Sequence, residues 1–440
     1  MTVTEITKLL KKEMEPAYGC TGPTAYALAT SCCKPYITAP PERIEIYVSP
    51  SFLKMGFGVA TPGTSQPGIE IAAALGLISG DYTQGMQVLR SSTSDDMEKA
   101  NELMQKGIIH ILCDREKTGV YVRAVVTTGN ESVIAVVEHT HDGVSLIEVN
   151  GQEKFRAVLT ELRIEEQSEK FTLEEIFSYV RDVSTADLYF LVEGYKLNLK
   201  LAEDGLKNKF GLMSGRAYLT KYWKDRGIPD DLFEHPMDYL PDSISERSKV
   251  LVAAASDARM GGSRLPAMAA MGDGNQGITA LIPVGTVAEM MKTSDDRCIR
   301  ALALSCLLLF YVKMNIGRAA AFCLCAIAAS AGSVGGIAYL YGLSEKQISA
   351  AVKNAISPLT GMLCDGAKNA CALKMAIATS TAFMAVDLAE ADVQVGYYDG
   401  VANNSLPDTV ACITRIANNS MEMLDKFMVD EILKKSDPSM

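Results

Sequence analysis

Residues 319–341 read Ala-Ala-Ala-Phe-Cys-Leu-Cys-Ala-Ile-Ala-Ala-Ser-Ala-Gly-Ser-Val-Gly-Gly-Ile-Ala-Tyr-Leu-Tyr, 23 positions without a charge. On length alone such a run can span a bilayer. Its content points elsewhere: Ala, Gly, Ser and Cys are weakly apolar, Arg318 borders one end, and Lys313 is close by. Small side chains also let helices approach one another closely. The stretch is therefore expected to be a buried helix in a soluble all-helical domain, wrapped by others, with no membrane crossing.

Working outward, helical patterns rich in Ala, Leu, Met and Cys run from Phe171 to the end. Ser344-Glu345-Lys346-Gln347 has capping-box spacing ahead of a helix over 345–356. The first third reads differently. Residues 42–49, 108–113, 120–127 and 132–138 are rich in β-branched side chains and read as strands, with a fifth at 144–149. Helices are expected at 68–79 and 95–106, and a polar linker or exposed helix at 152–170. The prediction is a mixed α/β domain over 1–165 followed by an all-α domain over 171–440.

A chain of 440 residues fits two or three domains. Apolar residues make up 48% and charged residues 22%, the balance of a folded chain. The net charge of −11, without a long basic run, argues against nucleic acid and anionic membrane as partners. Small molecules and other protein chains remain. The 11 cysteines cannot all pair. Residues 1–12 read as an amphipathic helix and not as a secretory signal, so reduced thiols in a cytoplasmic compartment are expected.

There is no P-loop, no His-Glu-x-x-His and no Cys-x-x-Cys. Gly272-Asp273-Gly274-Asn275-Gln276-Gly277 matches the dinucleotide fingerprint, but the flank reads as an Ala/Met helix where a strand is required. It reads better as a glycine loop leading into a helix near Ile278. There, backbone N–H groups with Asn275 and Gln276 would hold a carboxylate. A tight interhelical turn is the alternative. Six cysteines fall within the 74 residues from Cys298 to Cys371. Cys323, Cys325, Cys364 and Cys371 stand out, Cys364 because it sits in a glycine loop beside Asp365. Such thiolates suit a soft metal or an iron–sulfur cluster, while inert core packing is the alternative. The loop Glu15-Pro16-Ala17-Tyr18-Gly19-Cys20-Thr21-Gly22-Pro23 sets Cys20 ahead of a helix that Thr24 can cap. A helix N-terminus would activate that thiol. His139 and His141 end a strand and are candidate bases or substrate ligands.

Together these pieces resemble the L-cysteine desulfidase family, which is related to iron–sulfur L-serine dehydratases. The matching motifs are Glu-Pro-Ala-Tyr-Gly-Cys at 15–20, Gly-Asn-Gln-Gly-Ile at 274–278, Cys-Ala-Ile-Ala-Ala at 325–329, and Gly-Met-Leu-Cys-Asp-Gly-Ala-Lys at 361–368 with Cys371. The resemblance implies a serine dehydratase β-like part followed by an α-like part, and a homodimer. It implies a [4Fe–4S] cluster on Cys364, Cys371 and one of the upstream pair. Cys325 is preferred there because it precedes the Ala-Ile-Ala-Ala stretch, with Cys323 as the alternative. It also implies that Cys20 serves as base or occasional iron ligand. Three positions depart from the family pattern. Gly22 stands for a glutamate, Asp273 for a serine, and Lys54-Met55 for a Lys-Asn pair. These departures bear on substrate identity.

The expected reaction is β-elimination from L-cysteine, giving pyruvate, ammonia and hydrogen sulfide. An iron without a protein ligand would act as Lewis acid. Cys20 would take the Cα proton, with His141 or His139 behind it. Residues 274–277 would orient the carboxylate, and Lys54 or Arg264 would neutralise it. L-serine dehydration follows the same path with hydroxide leaving. A non-catalytic iron–sulfur or thiol sensor is a different class. A pyridoxal phosphate lyase would need a Schiff-base lysine and a phosphate cup, and neither has a signature here.

Overall fold

The computed structural model describes residues 1–19, 21–157, 171–317 and 321–436. Helix α1 (Val3–Glu13) leads into strand β1 (Met14–Tyr18). Helix α2 (Thr21–Cys33), strand β2 (Arg43–Val48) and helices α3 (Pro50–Gly56), α4 (Ile69–Ser79) and α5 (Ser94–Gln105) follow. Strands β3 (Ile109–Cys113), β4 (Tyr121–Thr128), β5 (Glu131–Glu138), β6 (Val144–Val149) and β7 (Gln152–Arg156) complete a sheet of order β3-β2-β4-β5-β6-β7. Strands β2 and β3 run parallel, and the other pairs are antiparallel. Alternation along β2 turns Ile44, Ile46 and Val48 inward, into the core that α2 and α4 complete over the sheet. The five expected strands are present. Strand β7 was expected as linker or helix. Its Glu153, Lys154 and Arg156 are exposed, as charges on a sheet edge are.

The helical part comprises α6 (Leu173–Asp182), α7 (Phe190–Lys207), α8 (Ser214–Trp223) and α9 (Ile244–Met260). Strand β8 (Pro266–Ala270) interrupts it. Then come α10 (Gly274–Met290), α11 (Asp295–Ile316), α12 (Leu324–Tyr341), α13 (Glu345–Leu359), α14 (Cys371–Glu390), α15 (Leu406–Asn419) and α16 (Glu422–Ser436). Helix α12 carries most of the charge-free run and packs against α10, α11, α13 and α14. A side chain at Gly332 would stand 2.6 Å from the carbonyl oxygen of Ser305, so only glycine permits this α11–α12 contact. Ser333 Oγ donates to Thr279 O at 3.1 Å and Ala329 O at 2.8 Å, which satisfies its hydroxyl inside the core. Among the described residues, three helices, α11, α12 and α14, are long and apolar enough to cross a membrane. Neighbouring helices bury 83% of the apolar window in α11 and in α12, and 50% in α14.

The two ends of the chain cross between the parts. Residues 14–18, expected as loop, form β1 and pair antiparallel with β8, Met14 opposite Ala270 and Tyr18 opposite Pro266. Ile6, Leu10 and Met14 thereby join the helical core. Residues 266–270, expected as helix, are strand because that pairing claims their backbone, and because Asn198 Oδ1 accepts from Met268 N at 2.8 Å. At the other end, Val429 and Ile432 of α16 enter the α/β core, and Arg115 pairs with Asp430 at 2.6 Å. Helix α16 lies against α3. Thr24 falls inside α2, which starts at Thr21, so it is not the cap that the sequence suggests.

Candidate active site

Strand β8 turns into α10 through Met271 (φ 48°) and Gly272 (φ 80°), both left-handed. Asp273 then caps α10. Its carboxylate accepts from Asn275 N at 2.9 Å and Gln276 N at 3.4 Å, and its carbonyl accepts from Gly277 N at 3.3 Å. The helix begins at Gly274, four residues ahead of the expected start. This changes what residues 274–277 can do. The N–H groups of Asn275, Gln276 and Gly277 are already bonded to Asp273 and face its negative charge, so they do not form an anion cradle.

Asp273 Oδ2 lies 3.0 Å from Cys325 Sγ and 3.4 Å from Gln276 Nε2. Arg259 Nη1 stands 3.9 Å from Oδ1. Burial works against the charge on Asp273, yet Arg259 and Lys313 hold its carboxyl below the usual range. Lys313 Nζ donates to Met271 O at 3.0 Å, which fixes the left-handed turn. A Cβ on Gly274 would stand 2.3 Å from Arg259 Nε, so glycine lets the guanidinium lie over the turn. Gly277 faces Met268 O and serves close packing against β8.

The thiols come from two loops and a helix start. Phe322 and Leu363 form an antiparallel bridge. Cys323 N donates to Met362 O at 2.8 Å and Cys364 N to Ala321 O at 2.7 Å, so the backbone holds these two cysteines side by side. Cys371 opens α14, with its Sγ 3.7 Å from Gly366 O. A hydrogen bond from Cys325 and the charge of Lys374 draw the Cys323 thiol down. Bonding to Cys323 and burial push Cys325 well up. Burial raises Cys364. Burial, reinforced by the charge of Cys323, pushes Cys371 up to about 12. Cys323, Cys364 and Cys371 thus sense one another, while Cys325 bonds both Cys323 and Asp273.

The α/β part closes one side. Gly366 (φ +89°) sits where a Cβ would be 1.9 Å from Lys54 O, which presses the 365–368 loop against the end of α3. Lys54 is buried, and its charge opposes the upward push of burial on Cys364. Val59 and Met260 pack together, with Cys371 against them. Lys374 donates to Leu363 O at 2.8 Å and pairs with Asp365. Lys368 Nζ reaches Lys54 O at 3.5 Å and sits 5.4 Å from the Phe57 ring. Four buried polar atoms in this neighbourhood lack a partner among the described residues: Asn275 Oδ1, Gln276 Oε1, Arg259 Nε and Asn369 Oδ1. Each such atom costs about 1–3 kcal/mol unless a ligand or water meets it.

Other expected residues fall as follows. Cys20 lies outside the described residues. His139 is exposed at φ 68° after β5. His141 packs on Phe52 of α3, ring centroids 5.5 Å apart. Arg264 donates to Ser92 O at 3.2 Å and so joins the two parts. The sequence reading missed Arg259, Lys313, Lys368, Lys374 and Asn369. Arg259 and Lys313 had a legible signal, since each is the one cation in the last turns of its helix, set after a long apolar run.

Among the described residues, no group of three or more His, Cys, Asp or Glu stands close enough for one metal ion. A single ion needs its donors in one coordination sphere. A four-iron cluster takes each thiolate on a different iron, so its ligands stand further apart. None of the four cysteines is in a disulfide, and lysines lie beside them. Cys323 and Cys364 lie side by side and Cys371 opens the next helix, a set of thiols whose chemistry suits an iron–sulfur group.

Residues 83–430 match the family described as serine dehydratase alpha chain. The chain is 32% identical over 442 residues to a UPF0597 protein of Parabacteroides distasonis, covering 98% of each. It is 33% identical to one from Clostridioides difficile, covering 96% of this chain and 98% of that one. It is 34% identical to the UPF0597 protein YhaM of Shigella flexneri, covering 97% of this chain and 96% of that one. On these grounds the chain belongs to the serine dehydratase alpha chain family, together with these UPF0597 proteins.

Proposed function

We propose that this chain is an iron–sulfur-dependent lyase that eliminates sulfide from L-cysteine. Family membership supports a lyase. The observation that carries the reading is the meeting of Cys323, Cys364 and Cys371 beside lysines and unpartnered amides. Cys323 is taken as the third ligand in place of Cys325, because Cys325 bonds Asp273. A [4Fe–4S] cluster on these three would supply one iron without a protein ligand, a Lewis acid for the departing sulfur.

The protein's own groups do the rest. Lys54 and Lys374 offset the thiolate charge. Asp273, Asn275 and Gln276 present acceptors that match a substrate ammonium. Cys20 remains the proposed base for the Cα proton, with His141 behind it. Loss of HS⁻ and that proton leaves aminoacrylate, which takes up water to give pyruvate and ammonia. The family description favours a second reading, loss of water from L-serine at the same site. A cytoplasmic, reduced setting and a homodimer belong to the proposal.

The test is anaerobic purification followed by iron, sulfide and turnover assays. Near four irons and four sulfides per chain are expected, with pyruvate formed faster from L-cysteine than from L-serine. The reverse preference makes the chain a serine dehydratase. No iron after anaerobic reconstitution sinks both readings.

A further inference from the structure

We infer that Lys368 receives the α-carboxylate of the substrate. This rests on the lyase reading and adds how that site selects its substrate class. The α10 N-terminus disfavours a carboxylate, because the negatively charged Asp273 side chain caps it and takes the N–H groups of Asn275 and Gln276. The anion must therefore meet a cation elsewhere around the thiols. Arg259 faces Asp273, and Lys313 bonds Met271 O beside it. Lys374 is held by Asp365 and Leu363 O, and Lys54 is buried with its charge acting on Cys364. Lys368 differs from these. Its ammonium has one long bond to Lys54 O and the Phe57 ring face, and among the described residues it has no carboxylate in ion-pair range.

The backbone places it deliberately. Gly58 bridges Lys368, and a Cβ on Gly58 would stand 2.9 Å from Lys368 Cδ, so glycine clears the path of the side chain. The Lys368 charge acts with Cys364 and Cys371, while Asp273 sits with Cys325 and Cys323. Cation and acceptors thus border the thiol group on different members. An α-amino acid satisfies both, its carboxylate on Lys368 and its ammonium on Asp273, Asn275 and Gln276. A ligand lacking the free carboxylate satisfies only one.

The experiment uses cluster-loaded full-length protein, mixed rapidly with L-cysteine or L-cysteinamide without oxygen. The change in visible absorption gives a dissociation constant for each before turnover. Lys368→Met is expected to keep iron and spectrum and to bind L-cysteine about 10–100-fold more weakly. Its binding of L-cysteinamide should be unchanged, with KM rising more than kcat falls. Lys368→Arg should recover most of the L-cysteine affinity. Unchanged L-cysteine binding in Lys368→Met overturns the inference, as does equal weakening of acid and amide. If Lys368→Met and Lys368→Gln both lose iron, the residue serves the thiolates and the inference also falls. Wild type that is loaded with iron but neither binds nor converts L-cysteine or L-serine shows the parent reading to be wrong, before any variant is made.

Discussion

Cys325 Sγ stands 3.0 Å from Asp273 Oδ2, so of the two thiols in the Cys-Leu-Cys stretch this one is engaged by the carboxylate. The neighbouring thiol of Cys323 is the one drawn down, and its charge is felt at both of those cysteines. The two cysteines of the Cys-Leu-Cys stretch therefore have different surroundings although one residue separates them.

The first prediction follows. Cys323→Ser, Cys364→Ser and Cys371→Ser should each lose most bound iron, while Cys325→Ser keeps it. Iron and acid-labile sulfide on anaerobic protein decide this. Iron loss in Cys325→Ser with retention in Cys323→Ser would reverse the assignment.

Asp257 predicts a pH effect. Buried in α9, it accepts from Ser214 Oγ at 2.8 Å and Gly215 N at 3.0 Å and so caps α8. Burial pushes its carboxyl up to about 6. The unfolded chain gives up this proton near ~3.9, so the folded state binds more protons between about pH 4 and 6. The contribution to stability is full at the acid end and falls as pH rises through that window, by roughly 2–3 kcal/mol. Wild type should exceed Asp257→Asn in stability at pH 4.5, and the gap should shrink or invert by pH 7. Urea unfolding at both pH values measures it, and a constant gap contradicts it.

Close helix packing predicts a third result. Gly332→Ala places a methyl 2.6 Å from a backbone oxygen that cannot turn aside. The expected loss is about 1–3 kcal/mol. Gly361→Ala, where a Cβ meets nothing within 4 Å, is the control and should cost little. Equal urea midpoints for the two variants would mean that α11 and α12 tolerate separation.

The proposed homodimer predicts a fourth. Helix α14 exposes Leu373, Ile377, Met384 and Leu388, an apolar face continuing from the Cys371 end. Ile377→Asp with Met384→Asp should convert a dimer to a monomer in sedimentation while iron content is retained. Monomeric wild type removes the proposal.

The division into strands before residue 157 and helices after residue 171 was legible because each element carries its own period. Ile44, Ile46 and Val48 alternate, and Ser344 with Gln347 marks a helix start that the structure reproduces with both capping bonds. The four cysteines were legible as a group from glycine loops and spacing. Strands β1 and β8 were not. Met14–Tyr18 contains a proline, and Pro266–Ala270 is Ala and Met, which favour helix. Each is a strand only because it pairs with the other across some 250 residues.

By itself the sequence determined what local chemistry determines: element type, the small-residue helix α12, the thiol-rich loops and the glycine turn before α10. Tertiary structure alone decided which partner each group meets. It set Asp273 against Cys325, spent the α10 N–H groups on that carboxylate, and brought Lys54 from the α/β part beside Cys364. The physical reason is range. Periodicity and capping act over a few residues, whereas charge pairing and burial depend on distance in space, which the order of residues does not state.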